Sequence, residues 1–205
     1  MSSRSTLPSA ILALLAEGPL HPYGIQQAIR QRRNDEVINV AQRATLYPAI
    51  KRLEREGLIR AQAVARDENR PERTIYELTD AGRAEVAAWL RDGLATPRKE
   101  FPEFPAVLSF LDQLAPAEVR DGLRRRVEAL DAEGERLGRI VEAATRHGVA
   151  RHCLVEIEFL RMAGRAERAW ATALIAELDA GTLAWPIAPP GPIQIGLPKP
   201  PGEGA

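Results

Sequence analysis

The side chains with the most chemistry to offer cluster around one helical segment of about residues 43–56: Gln42, Arg43 and Thr45 at its start, Tyr47 on a flank, then Lys51, Arg52 and Arg55. Set at 100° per residue, Ala49, Ile50 and Leu53 fall within about 60° of Leu46 and form a stripe that must be buried. Ala44, Pro48, Lys51, Arg52 and Arg55 occupy the opposite side. A small residue and a ring followed by three cations is a surface able to enter a DNA major groove. Small side chains permit close approach, while Lys and Arg reach guanine edges and phosphates. Pro48 lacks an N–H and is expected in the first turn, which sets the helix start near Arg43 to Thr45. Gln42, Arg43 and Thr45 then lie at the end that reads bases in helix-turn-helix proteins. The competing reading is a solvated helix face laced by i, i+4 ion pairs.

Such a helix has to be held by others. Pro8 to Ala16 reads as a first helix closed by Glu17-Gly18-Pro19, and a second runs from about Pro22 to Arg33 with Ile25 and Ile29 on its buried side. After the third helix, Gly57 suits a left-handed C′ position. Leu58 to Ala65 and Arg73 to Leu78 read as two short strands around a polar turn, Arg66 to Glu72. Arg70 and Arg73 flank that turn within reach of phosphate or a minor groove. Thr79 is placed to cap a fourth helix, Asp80 to about Asp92. Three helices, a hairpin and a helix is the layout of a winged helix-turn-helix.

Composition bounds this reading. The chain has 205 residues with 28 Lys+Arg against 28 Asp+Glu and 45% hydrophobic residues, which suits one globular domain or two small ones. A zero balance excludes an indiscriminate polyanion binder, yet residues 25–66 carry nine cations against four acids. The apolar run Ala10 to Ala16 is too short for a signal peptide core and lacks a cleavage site, and no apolar stretch approaches the roughly 20 residues that span a bilayer. A cytoplasmic protein is expected, with no membrane partner. Cys153 alone rules out an internal disulfide framework. His147, His152 and Cys153 lack a carboxylate at matching spacing, so no metal or other cofactor is expected and Cys153 is read as a small core residue. His21 should cap or pack at its turn. No nucleophile elbow or glycine-rich phosphate loop occurs, which argues against an enzyme.

Four stretches together resemble the PadR family of bacterial transcriptional regulators. Ile11 to Leu15 followed by Gly18-Pro19-Leu20-His21-Pro22-Tyr23-Gly24-Ile25 is similar to its first-helix and turn signature. Thr45-Leu46-Tyr47-Pro48-Ala49-Ile50-Lys51-Arg52-Leu53-Glu54 through Gly57-Leu58-Ile59 is similar to its recognition helix, and is the most specific of the four. Arg73-Thr74-Ile75-Tyr76-Glu77-Leu78-Thr79 with Gly82 resembles its wing and fourth-helix entry. The long helical second half resembles the longer branch, with a virulence-activator-like C-terminal domain. The resemblance spans about residues 7–182. It implies a homodimeric winged-helix regulator, usually a repressor and often released by a small molecule. Ala44, where many members carry glycine or another small residue, and Glu72, an acid in a normally basic wing, depart from the pattern.

The expected fold is therefore mainly α with a small β-wing: a winged helix-turn-helix DNA-binding domain (1–93), an α-helical hairpin dimerisation domain (94–182) and a Pro/Gly-rich, disordered tail (183–205). A helix from Pro116 to about His147 repeats Leu123, Val127, Leu130, Leu137, Val141 and Ala144 at steps of 4 and 3, with Gly134 in the gap. A second, Ala150 to about Asp179, carries Leu154, Ile157, Leu160, Trp170, Leu174 and Leu178, and Gly181 follows as C′. This is either an intrachain hairpin alone or a hairpin with a second subunit packed on it. The homodimer is preferred, because two recognition helices about 34 Å apart read a pseudo-palindromic operator in double-stranded DNA. Trp89 and Trp170 are candidates to line a pocket for a small apolar or aromatic effector. The alternative function is a winged-helix protein-interaction or ligand-sequestering module that does not bind DNA.

Overall fold

A computed structural model describes residues 6–38, 43–67 and 70–183. The chain divides into two compact units, residues 1–99 and 100–205. The expected tail, 183–205, lies outside the described residues from position 184 on.

The first unit opens with α1 (Thr6–Leu15), whose Leu7, Ala10, Ile11, Leu12, Leu14 and Leu15 are all buried. The run that imitates a signal peptide is thus the central core helix. α2 (Pro22–Gln31) follows a turn, with Pro22 at the N-terminal position that needs no N–H. His21 caps it: its Nδ1 accepts from the Gly24 backbone N–H at 2.8 Å. Removing the cap with His21→Ala should cost about 1 kcal/mol, readable as a small fall in Tm at unchanged helix content. α3 (Arg43–Arg55) drives Leu46, Ile50 and Leu53 against Ile11, Leu15, Ile25 and Ile29 in one cluster. It ends at Gly57, where φ is +72° and the Leu58 N–H returns to the Leu53 carbonyl at 3.0 Å.

β1 (Ile59–Asp67) and β2 (Arg70–Leu78) form an antiparallel hairpin in the register Ile59 with Leu78 through Asp67 with Arg70. Both strands run further than the sequence suggested. Asp67 and Arg70 read as turn formers by side chain, but ladder bonds are made by backbone groups, and these two residues pair. Pairing slips between Ala61 and Ala63 and again between Ala65 and Asp67, the bulges expected of a twisted ribbon. Leu20 joins the sheet through a reciprocal pair of backbone bonds with Tyr76, at 3.0 and 2.9 Å. That single bridge ties the α1–α2 turn to the base of the wing.

α4 (Asp80–Ala95) starts as expected at Thr79, whose Oγ1 accepts from the Gly82 N–H at 3.1 Å and lies 2.9 Å from the Leu58 carbonyl. Val86 and Trp89 of α4 return to the core.

The second unit holds a short α5 (Glu103–Leu108), a long α6 (Pro116–Arg146) and α7 (Val155–Ala180). At the start of α6 the Glu118 carboxylate reaches back to accept from the Ala115 N–H. α6 and α7 form an antiparallel pair, marked by ion pairs Arg124–Asp179 (3.0 Å), Arg126–Glu167 and Arg168–Asp131. The seam of α6 is spent on α7: Leu123 and Leu137 are buried, and Val127, Leu130, Val141 and Ala144 half-buried. α7 departs from expectation in three ways. The helix begins at Val155 rather than Ala150, because Arg151–Cys153 forms a separate 3₁₀ turn. Cys153 in that turn is exposed, and Leu154 takes the buried place assigned to it. Trp170 is 43% exposed, whereas Ala171 is fully buried, so the inward face lies one residue further on. Gly181 closes α7 in the left-handed conformation, as expected.

Candidate nucleic-acid interface

The site is the outward side of α3. With Leu46, Ile50 and Leu53 anchored below, helical geometry leaves Thr45, Tyr47, Pro48, Lys51, Arg52 and Arg55 exposed together. Gln42 lies outside the described residues. Of Arg43 only the backbone is described, as the first residue of α3, and the same holds for Arg70 and Arg73 in β2. Pro48 lies in the second turn, not the first. Its missing N–H costs the α3 ladder one bond to the Ala44 carbonyl, near the N-terminal end of the helix.

The three cations are not equivalent. Arg52 donates its Nε–H to the Glu56 carboxylate at 2.8 Å, an i, i+4 pair on an exposed surface. That hydrogen bond, and then the carboxylate charge, raise the Arg52 pKa above its ordinary value. Lys51 and Arg55 make no ion pair among the described residues. Arg60, at the start of β1, is held by Glu77 across the hairpin. Behind the helix, burial pushes the Tyr76 phenol up, with the Glu54 carboxylate adding to it. The surface therefore offers two cations unpaired among the described residues, one tethered arginine, a ring and a hydroxyl, a combination that can contact phosphates and base edges.

Trp89 is half-buried against the core of the first unit. Trp170 stands edge-on to Phe104 at 5.9 Å, and the Arg126 guanidinium lies 3.3 Å over the Phe104 ring. That ring-and-cation cluster in the second unit was not anticipated. Phe104 sits in a six-residue helix among prolines, too short to show a period. Among the described residues no group of three or more His, Cys, Asp and Glu could hold a metal ion, and no helix is long and apolar enough to cross a membrane.

An outward-turned third helix, a two-stranded wing and a capped fourth helix define a winged helix-turn-helix domain. Residues 11–88 match the transcriptional regulator PadR-like family, and this part of the chain is a PadR-like domain. The chain is 28% identical over 127 residues to the negative transcriptional regulator PadR of Bacillus subtilis, covering 62% of this chain and 68% of that protein. It is 33% identical over 95 residues to a probable transcriptional regulator of Mycobacterium tuberculosis, covering 45% of this chain and spanning 47% of that protein's length. Among solved structures, Bacillus subtilis PadR in complex with operator DNA matches with a TM-score of 0.71 at 24% identity, covering 87% of this chain and all of that one. The same protein in complex with p-coumaric acid matches with a TM-score of 0.66 at 22% identity, over 84% of this chain and 98% of that one. These structures share the mainly helical architecture with its two-stranded wing.

Proposed function

We propose that this chain is a dimeric, sequence-specific DNA-binding regulator that represses transcription and is released by a small molecule. The observation that carries it is the face of α3: Thr45, Tyr47, Lys51, Arg52 and Arg55 point to solvent while the opposite stripe is locked in the core. The operator complex and the p-coumaric acid complex of the Bacillus subtilis relative support the two halves of the reading. Gln42, Arg43 and Thr45 read bases, Tyr47, Lys51, Arg52 and Arg55 bind the groove walls, and Arg70 and Arg73 touch the backbone from the wing. Residues 1–93 are the reading domain and residues 94–182 the dimerisation and effector domain, of the longer family branch. Trp89 and Trp170 report on the effector. The protein acts in the cytoplasm and catalyses no reaction.

A labelled fragment of the region upstream of its own gene should shift at nanomolar protein, with affinity falling as salt rises. Small aromatic acids should then be titrated into the complex. One that dissociates it should also quench tryptophan fluorescence, and Trp170→Phe should remove part of that signal. Binding with no salt dependence and no preference for the upstream fragment over bulk DNA overturns the reading.

A further inference from the structure

The seam between α6 and α7 is missing one layer of side chains. On one side of that layer Arg168 pairs with Asp131, and on the other the Arg161 guanidinium lies over Gly138. This antiparallel register sets Gly134 opposite Gly164, both half-buried. Neither glycine serves a close approach of the helices, because a Cβ on Gly134 or on Gly164 would meet nothing within 4 Å. Both lie inside long helices, where each lowers stability relative to alanine. What the pair leaves is space. A hollow of about 480 Å³ is bounded by Leu130 to Glu142 on α6 and by Leu160 to Arg168 on α7. Its α6 wall is about 18 Å long at 1.5 Å per residue.

The floor is apolar and the rim charged. Leu137 is buried, and Leu130 and Leu160 are half-buried, so the empty layer lies between ordinary hydrophobic ones. Most rim charges are already matched: Asp131 by Arg168, Glu133 by Arg136 at 2.6 Å, and Glu135 by Arg139 at 3.7 Å. Arg161 and Arg165 are the exceptions. Glu158, one turn back on α7 from Arg161, gives both oxygens to Arg151 at 3.0 and 2.9 Å. Arg165 donates its Nε–H to the Arg161 carbonyl at 3.2 Å, and the rest of its guanidinium meets no acid among the described residues. Against these two stands Glu142, which makes no ion pair among the described residues. The balance is one positive charge over an apolar floor. Guanidinium groups one helical turn apart suit a carboxylate, which either can bind through two parallel N–H groups. A long, narrow, apolar slot suits an unbranched hydrocarbon chain.

We propose that the slot at Gly134 and Gly164 binds a free straight-chain monocarboxylic acid. The chain lies along Leu130, Leu137 and Leu160 in the space the glycines leave, and Arg161 and Arg165 hold the carboxylate. Neither Trp89 nor Trp170 lines the slot, so this site goes beyond the proposed function, and its occupancy is measurable without DNA.

The test is calorimetric titration of the full chain with octanoate, which should fill a single site per chain. Acetate, which has the head alone, and octylammonium, which has the chain with the opposite charge, should each bind about 10-fold or more weakly. Arg161→Ala combined with Arg165→Ala should cost octanoate a similar factor with helix content by circular dichroism unchanged. Gly134→Leu fills the slot, so it should raise Tm by several degrees and abolish octanoate binding, two readouts of opposite sign. Gly134→Ala is the milder form, with a smaller rise in Tm and weakened binding. Octanoate that binds no better than acetate, or that binds Gly134→Leu as well as the parent chain, overturns the site. A fall in Tm for Gly134→Ala shows that the glycine serves close packing and overturns the slot itself. None of these outcomes touches DNA binding, so the regulator reading stands or falls by its own titrations.

Discussion

Gly82→Ala should destabilise the first unit by about 3 kcal/mol and lower its Tm by roughly 10 °C or more, although alanine is the better helix former. A Cβ at this position would lie 2.2 Å from the Leu58 carbonyl oxygen and 2.6 Å from Leu78 Cδ1. The first neighbour is backbone and cannot swing aside. That carbonyl also accepts from the Thr79 N–H at 3.1 Å, and Thr79 in turn caps α4 through Gly82, so any retreat of the helix strains the cap that starts it. The same helix supplies its own control. A Cβ on Gly93 meets nothing within 4 Å, and Gly93→Ala should stabilise by about 0.5–1 kcal/mol through propensity alone. Thermal unfolding of the two variants side by side separates the explanations. Equal and favourable shifts would show that the close approach of α4 to the wing does not limit stability.

Gly82 also illustrates what a sequence can and cannot disclose. Its place three residues after Thr79 was legible as a helix entry, because capping is local chemistry. The reason it must be glycine was not, since Leu58 is 24 positions away and only the folded hairpin brings the carbonyl there. The reciprocal bridge between Leu20 and Tyr76 escaped for the same reason: one residue leaves no period to detect. α3 was readable nearly end to end, because Leu46, Ile50 and Leu53 repeat strongly and Gly57 stops the helix. Even there, the expected position of Pro48 was a turn too early, since the fold tolerates one missing bond inside the helix.

In α7 the difficulty was the reverse, too much signal. Trp170 and Ala171 are adjacent, about 100° apart around the helix, and periodicity does not say which of the two meets α6. Packing chose the smaller residue where the two helices come close. Cys153 went astray by residue type alone: a thiol is usually buried, yet a tight turn with Leu154 as its anchor leaves it outside.

The candidate site was legible as a set of residues but not as an electrostatic arrangement, and that arrangement fixes the expected behaviour of α3 variants. The double variant Lys51→Ala with Arg55→Ala should weaken operator binding by about 10- to 100-fold while leaving the dimer intact. The slope of log affinity against log salt should become shallower by one to two, as roughly two phosphate contacts are lost. Arg52→Ala should lose less than Arg55→Ala, because Arg52 already gives one donor to Glu56 and must share or break that bond on DNA. Glu56→Gln provides the opposite sign. It removes an acid from the binding face and frees the Arg52 guanidinium, so affinity should rise a few-fold and the salt dependence should steepen. Glu56 and Arg52 are both exposed, and a surface pair screened by solvent contributes little to folding, so neither change should disturb the unit itself. A merely solvated face, with i, i+4 pairing as its whole purpose, would respond to none of these substitutions in DNA binding. Equilibrium titrations of the four variants at three salt concentrations decide between the two, and unchanged affinity in the double variant removes α3 as the reading helix.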